Sequence, residues 1–287
     1  MKKAKFFNMR RKAITLDVAS YIFLGALSLV WVFPLFWLLL TSFRGEPGQF
    51  TTYFFPRQWT LNNYIRLFTD TTFNYWRWML NTITVAVCSM FIATFLNLST
   101  AYVMSRYRFR WRNRLLKISL ILGMFPGFMS MIAVYYLLLS VGLTQRLVAL
   151  VAVYSLSAGL GFFIAKGFFD TIPRALDEAA RIDGASGAMV YFRVVLPMSK
   201  PIMVYTALMA FLAPWMDFIF ANIIMFGNRD GWTVAVGLYN MIVGAYASQY
   251  ATTFAAGAVL VAVPITTLFI FLQKYFVEGV TGGAVKG

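Results

Sequence analysis

Six long, almost uncharged apolar runs alternate with short charged connections along this chain of 287 residues. A helix crosses the hydrocarbon of a bilayer with roughly 18 to 20 apolar residues, and every run reaches that length. The last run is too long for one span, so we expect residues 231–253 to form an excursion and residues 254–273 to form the span. The pattern predicts an all-α integral membrane protein with six transmembrane helices, drawn from residues 18–43, 78–105, 118–145, 147–165, 201–228 (interrupted only by Asp217) and 231–273.

The composition supports a membrane protein, because 60% of the residues are hydrophobic and only 12% are charged. Nineteen of the 25 lysines and arginines lie in the two termini and in the second–third and fourth–fifth connections. By the positive-inside rule, these parts are cytoplasmic. We therefore expect a cytoplasmic N-terminal tail (1–17), a transmembrane domain (18–274) and a cytoplasmic C-terminal tail (275–287). The first run is too long for a cleaved signal peptide, so we expect it to be retained.

The longest polar stretch between two runs predicts a short surface helix. Thr171 can cap this helix with its hydroxyl, and Pro173 suits the first turn, so the helix is expected from 174 to 183. Its charged side chains stand three or four residues apart and predict an exposed face, with Asp177 paired to Arg181. Gly184 suits the left-handed position that ends such a helix.

A second short helix is expected directly after Gly184. Ser186 can cap it, and its apolar side chains extend from Met189 to Val195. Leu196 and Pro197 are expected to end it before the next span begins. Together the two helices predict a helix–glycine–helix elbow on the membrane surface.

Several kinds of chemistry are excluded by the residues present. The chain has no histidine, one cysteine (Cys88) and ten acidic residues, which leaves no usual metal site or nucleophile–base pair. It also lacks a glycine-rich phosphate loop with Lys-Ser or Lys-Thr, so we expect no cofactor on this chain and no enzyme activity of its own. The net charge of +15 lies in loops that flank spans, where topology and lipid headgroups account for it, and we expect no nucleic-acid partner.

The elbow resembles the cytoplasmic coupling loop of bacterial and archaeal ABC importer permeases. The family pattern is Glu-Ala-Ala, three residues, Gly, nine residues, Ile, one residue and Leu-Pro, and this chain departs from it only at Val194. Further segments resemble the carbohydrate-uptake branch, most closely the maltose/maltodextrin-type subunit that ends in Gly-Gly-x-Val-Lys-Gly. The resemblance covers nearly the whole chain, most securely from about residue 79 to the end. Within it the core is about 79–274 and the coupling loop is 167–200. The other motifs lie at 124–127, 166–173, 196–201, 272–279 and 282–287.

The resemblance implies a type I ABC importer permease in a bacterial or archaeal plasma (inner) membrane. It implies four partner chains besides lipid: a second permease in a pseudo-twofold heterodimer, two ATPases that hold ATP and Mg, and an extracytoplasmic sugar-binding protein. It assigns Glu178 to a contact with a basic residue of the ATPase, and the C-terminal tail is expected to reach toward the ATPase dimer. The elbow residues that it implies in coupling are Glu178, Ala179, Ala180, Asp183, Gly184, Leu196 and Pro197. The alternative for the elbow is that it only rests on lipid headgroups. The alternative for the C-terminal tail is a disordered terminus.

Two further groups of residues are candidates for function. Asp217 is the one acidic residue deep in a span, and with Trp215 and Asn222 it forms a candidate cavity or gate; the alternative for Asp217 is a helix–helix hydrogen bond. The segment 227–253 carries exposed apolar side chains on the side from which sugar would arrive. We expect it to contact the binding protein through Met241, Gly244 and Tyr246, the alternative being that it lies flat on the bilayer.

The favoured function is the passive translocation half of an ATP-driven oligosaccharide importer. A second interpretation keeps this architecture for another solute, such as glycerol phosphate or another glycoside. A third is an ion-driven secondary transporter, which would need more intramembrane ionisable groups than one aspartate. A fourth, a non-transporting scaffold, leaves the elbow unexplained.

Overall fold

The computed structural model describes residues 2–48, 52–125, 127–156 and 161–281, with side chains described from residue 16 to residue 274. The described part consists of helices and their connections, with no strand. The helices, numbered in chain order, are α1 (Lys2–Ser42), α2 (Asn62–Thr69), α3 (Tyr75–Arg106), α4 (Arg112–Gly123), α5 (Gly127–Ser140), α6 (Leu147–Leu156), α7 (Gly161–Thr171), α8 (Ala175–Ile182), α9 (Gly187–Met198), α10 (Lys200–Met216), α11 (Ile219–Ile224), α12 (Val234–Met241) and α13 (Ala247–Thr281).

Three helices are each long and apolar enough to cross a membrane: α1 over Leu16–Ser42, α3 over Tyr75–Arg106 and α13 within Gly244–Lys274. Three bent pairs bring the number to six if each pair is one span, which is the number that the sequence predicts. The pairs are α4 with α5, α6 with α7, and α9 with α10, whose axes differ by 103°, 41° and 85°. In the last pair, α9 is the second helix of the predicted elbow, and α10 is the apolar helix of the fifth span.

The centre of the fold is α3, which packs against α6, α7 and α10. At its Tyr75 end the core is aromatic, and Phe73, Trp78 and Trp215 pack with α12 and α13. At its Arg106 end a second cluster joins α3 and α7 to the two elbow helices. The molecule therefore has an elbow end and an opposite end, defined by the two ends of α3.

The segment predicted as an excursion, residues 231–253, is largely helical, and the last helix begins earlier than expected. Residues 234–241 form helix α12, and α13 begins at Ala247, well before the expected start at 254. The Asn81 side chain on α3 donates to the carbonyls of Asp230 and Trp232 at 2.7 and 2.9 Å. The N–H of Val234 donates to Thr82 Oγ1 at 2.8 Å. These bonds hold the segment in the core, because buried backbone groups need partners.

The first turns of α13 are fastened to α2 at the same end of the molecule. The Tyr250 hydroxyl donates to Asp70 Oδ2 at 2.7 Å, and Arg66 donates to the carbonyl of Gln249 at 3.0 Å. Thr252 donates to the side chain of Asn63 at 2.9 Å. Helix α13 therefore begins at this polar junction and not deeper in the apolar run.

Candidate functional site

The elbow begins with helix α8, whose end has the geometry that its glycine predicts. Gly184 has a φ of +87°, the left-handed conformation that glycine adopts without strain. Its N–H donates to the carbonyl of Arg181 at 3.0 Å, and the N–H of Ala185 donates to the carbonyl of Ala180 at 2.9 Å. This pair of bonds is a Schellman motif, which satisfies the last carbonyls of α8 and reverses the chain. The predicted left-handed glycine is confirmed.

The second elbow helix, α9, begins and ends as predicted. Ser186 Oγ accepts from the N–H of Met189 at 3.3 Å and caps the helix. The stretch Val190–Val195 is a π-helix, a wide turn that precedes Pro197, which lacks an N–H to donate. The helix ends one residue after Leu196 and Pro197, at Met198, and the bend into α10 lies at Ser199, so it ends before Ser199 as predicted.

Two local expectations for α8 are wrong. The Thr171 hydroxyl donates to the carbonyl of Phe168 at 2.7 Å, so it ends α7 and does not cap α8. Asp177 is not part of an exposed face with Arg181: it is buried, and its Oδ2 lies 3.0 Å from Nε of Arg106 at the end of α3. A buried carboxylate requires a close cation, and the end of α3 supplies one that spacing within α8 could not reveal.

The face of the elbow that points away from the helices is exposed. Glu178, Ala179, Asp183 and Gly184 lie on it, and Ala180 is half-buried beside them. Ile182 is 86% exposed on the same helix. A partner that covered this surface would remove the isoleucine from water. Leu196 is half-buried and Pro197 is exposed, one turn before the bend into α10.

A second candidate site is a cavity of about 240 Å³ between α3, the α6–α7 pair and α10. The Tyr154 hydroxyl donates to Asp217 Oδ2 at 2.8 Å, and Asp217 Oδ1 accepts from the N–H of Phe220 at 3.0 Å. The aspartate thus caps α11 and connects it to α6. The lining combines polar and small residues: Ala93, Asn97, Tyr154, Gly161, Ile164, Tyr205, Thr206, Met209, Ala210 and Ala213.

Asp217 does not line the cavity itself and is connected to it through Tyr154. The other two predicted cavity residues lie elsewhere. Trp215 is buried in the aromatic core, where its ring packs 5.8 Å from that of Phe211, so it does not line this cavity. Asn222 is half-buried on α11. Asn97, Tyr154, Tyr205 and Thr206 are polar lining residues that sequence reasoning missed. Their position in apolar runs was a signal, since polar groups inside spans face a cavity or a partner.

The three candidate residues for contact with a binding protein differ in their exposure. Met241 is fully buried in the core, so the expectation that its side chain is exposed is wrong. Gly244 is exposed with a φ of +60° and begins a short 3₁₀ turn. Tyr246 is 37% exposed and packs its ring 5.0 Å from that of Phe73. Only the tip around Gly244 and Tyr246 remains as a candidate surface.

The C-terminal Gly-Gly-x-Val-Lys-Gly motif (282–287) and Pro126 of the 124–127 motif lie outside the described residues. No group of three or more metal-ligating side chains occurs among the residues that were described.

Comparison with known proteins identifies relatives over nearly the whole chain. The maltodextrin transport system permease protein MdxG of Bacillus subtilis (strain 168) is 37% identical over 272 residues, covering 94% of this chain and 96% of the relative. The galactooligosaccharides transport system permease protein GanQ of the same organism is 35% identical, covering 93% and 95%.

A similar fold occurs in a crystal structure of a bacterial ABC transporter involved in the import of the acidic polysaccharide alginate. The TM-score is 0.75 at 21% identity, covering 91% of this chain and 96% of that chain. Residues 93–282 match the family described as binding-protein-dependent transport system inner membrane component, and this range includes the elbow, Tyr154 and Asp217. This chain belongs to that family of multi-pass membrane permeases.

Proposed function

We propose that this chain is the transmembrane translocation subunit of an ATP-driven importer of oligosaccharides of the maltodextrin type. The observation that carries the proposal is its identity of 37% over nearly the full length of a maltodextrin permease. Such identity supports the solute class better than the fold does, because one fold hosts many functions. The energy comes from partner ATPases, which hold ATP and Mg.

The elbow is the surface on which we place one of these ATPases. The exposed carboxylate of Glu178 meets a basic residue of the ATPase, while Ala179, Ala180 and Gly184 leave room for its cleft, with Asp183 at the edge. Leu196 and Pro197 hold α9 at the bend into α10. The exposed side chain of Ile182 supports this placement, since a partner would remove it from water. The elbow and both termini are then cytoplasmic, in a bacterial or archaeal plasma membrane.

We place part of the sugar path along the cavity between α3, the α6–α7 pair and α10. Tyr154, Asn97 and Thr206 are among its lining residues, and hydroxyl and amide groups of this kind pair with sugar hydroxyls. A second permease closes the cavity from the other side of a pseudo-twofold heterodimer. The tip around Gly244 and Tyr246, at the opposite end from the elbow, faces the extracytoplasmic sugar-binding protein.

The test is ATP hydrolysis by the complete importer in proteoliposomes. Binding protein is added empty, or loaded with maltodextrins of increasing length, with a galactooligosaccharide or with glycerol phosphate. We expect maltodextrin-loaded protein to stimulate hydrolysis. Stimulation by another solute alone would support an ATP-driven importer but show that its solute is not a maltodextrin. Sugar uptake driven by a proton or sodium gradient without ATP would contradict the proposal.

A further inference from the structure

The elbow is connected by the chain to two spans and by side chains to a third. Helix α8 follows α7 and helix α9 leads into α10, so the backbone connects the elbow directly to the fourth and fifth spans. The second span, α3, has no such connection. Its last residues nevertheless make the closest polar contacts that hold the elbow.

The central contact is the ion pair between Arg106 at the end of α3 and Asp177 in α8. Nε of Arg106 lies 3.0 Å from Oδ2 of Asp177, and the two side chains are only 4% and 9% exposed. Arg106 also donates from Nη2 to the carbonyl of Ile172 at 3.1 Å. Removing either partner would leave the other charge buried and unpaired, so the position of each side chain depends on the other.

Neighbouring residues repeat this connection. Arg174 donates from Nη2 to the carbonyl of Ser105 at 3.2 Å. The Ser105 hydroxyl donates to Asp170 Oδ1 at 2.6 Å, and Asp170 Oδ2 accepts from Lys166 at 2.6 Å. The end of the second span is thereby tied to the elbow and to the end of the fourth span.

Apolar packing leaves little freedom at the same junction. The rings of Tyr102 on α3 and Tyr191 on α9 lie 4.6 Å apart. The Tyr107 hydroxyl lies 2.6 Å from where a Cβ on Gly187 would be, which is closer than such atoms come without a shift. Both elbow helices therefore contact the last turns of the second span.

We propose that the elbow and the end of the second span move as one body, and that Arg106 and Asp177 are the positioning pair that transmits the ATPase-driven movement to that span. This inference rests on the proposed function of the elbow. Neither residue touches the ATPase or the sugar in this account. Their effect is to carry the movement of the elbow into a helix that lines the cavity through Asn97.

The first test is a set of charge variants in the complete importer: Arg106→Gln, Asp177→Asn, and the exchange Arg106→Asp with Asp177→Arg. We expect both single variants to co-purify with the ATPases and keep basal ATP hydrolysis, but to lose about tenfold of the sugar-stimulated rate. The exchange should recover most of it. Loss of assembly and basal rate in parallel would indicate mere structural support and overturn the proposal, as would unchanged stimulation.

A second measurement does not depend on the sugar. Spin labels are placed at the exposed positions Val103 on α3 and Ala188 on α9, after the exposed Cys88 is replaced by serine. In the otherwise unmodified importer, one narrow distance distribution should persist with and without bound nucleotide. In Asp177→Asn it should broaden. A distance that changes with nucleotide in the unmodified junction would overturn the one-body proposal, even if the importer proved to carry another solute.

Discussion

The hydroxyl of Tyr154 donates to Oδ2 of Asp217 at 2.8 Å and joins the fourth span to the break between α10 and α11. The other carboxylate oxygen of Asp217 accepts from the N–H of Phe220 and caps α11. One side chain therefore serves a helix–helix bond and a helix cap beside the cavity. The two roles weighed from the sequence are compatible, since the hydrogen-bonding residue lies next to the candidate sugar path.

Variants of Asp217 should separate its two contacts. Asp217→Ala removes the cap and the partner of Tyr154, and should lower stability by about 1–3 kcal/mol and strongly reduce uptake. Asp217→Asn keeps one acceptor for the cap and should be less destabilising. Tyr154→Phe removes only the bond between spans. Thermal unfolding of the purified complex and sugar uptake measure these effects. Equal stability of the Asp217→Ala and Asp217→Asn variants would contradict the role of Asp217 as the cap of α11.

Within this chain, substitutions at Gly184 should act through the backbone. No atom of the chain lies within 4 Å of where a Cβ would be, so a clash inside the chain cannot explain an effect, and a side chain of similar size at this position controls for a clash with the ATPase. Gly184→Val should strain the left-handed residue by roughly 1–2 kcal/mol and re-aim α9, with loss of ATPase co-purification. Gly184→Asn is the matched control, because asparagine tolerates this conformation, and it should retain the ATPase. Equal behaviour of the two variants would show that the turn is not needed.

The elbow's own turns follow from local rules, whereas its attachment does not. Gly184 and Ser186 are recognisable because a left-handed stop and a hydroxyl cap depend on neighbouring residues. The spacing within α8 predicted that Asp177 pairs with Arg181. Its partner in the structure is instead Arg106, a buried arginine at the end of α3. The Ser105–Asp170 bond likewise joins residues 65 apart in the chain. Sequence patterns do not encode such distant pairs.

The same reason explains the wrong expectation for Met241. The apolar residues around Met241 follow a turn, and this pattern predicted an exposed loop. The local sequence did not indicate that Asn81 and Thr82 make hydrogen bonds with the backbone of this segment. Once those bonds bury the backbone, residues 234–241 form a core helix. The presence of several membrane-length helices was predictable, because hydrocarbon thickness sets the length of each run.

Asp70 should make stability depend on acid pH. Burial raises the pKa of Asp70, but hydrogen bonds from Tyr250, from the N–H groups of Thr72 and Phe73 and from Arg66 outweigh it, so the net pKa is lowered. A lowered carboxyl pKa gives stability that is present above the unfolded value of about 3.9 and is lost as the pH falls through the folded value. Unfolding temperatures of the unmodified chain and Asp70→Asn should differ at neutral pH and converge in acid. A constant difference would contradict this.

The tip at the end opposite the elbow should affect only the response to the binding protein. Ala245 is exposed between Gly244 and Tyr246 and has little to pack against. Ala245→Arg should leave assembly and basal ATP hydrolysis unchanged and strongly reduce stimulation by loaded binding protein. Stimulation is measured at low and at saturating concentrations of binding protein. If the variant only weakens the contact, stimulation should recover at saturation. Normal stimulation at low concentration would favour a tip that only rests on the bilayer.

The most direct test of coupling through the elbow is the reversal of charge at Glu178, measured as sugar-stimulated ATP hydrolysis and uptake by the complete importer. Glu178→Lys should preserve the fold, because the side chain is exposed, and place like charges at the ATPase contact at a cost of up to several kcal/mol. The matched control is Asp230→Lys, an exposed reversal at the opposite end of the molecule. We expect loss of ATPase co-purification and of uptake in Glu178→Lys only. Normal uptake by Glu178→Lys, or equal losses in both variants, would contradict it.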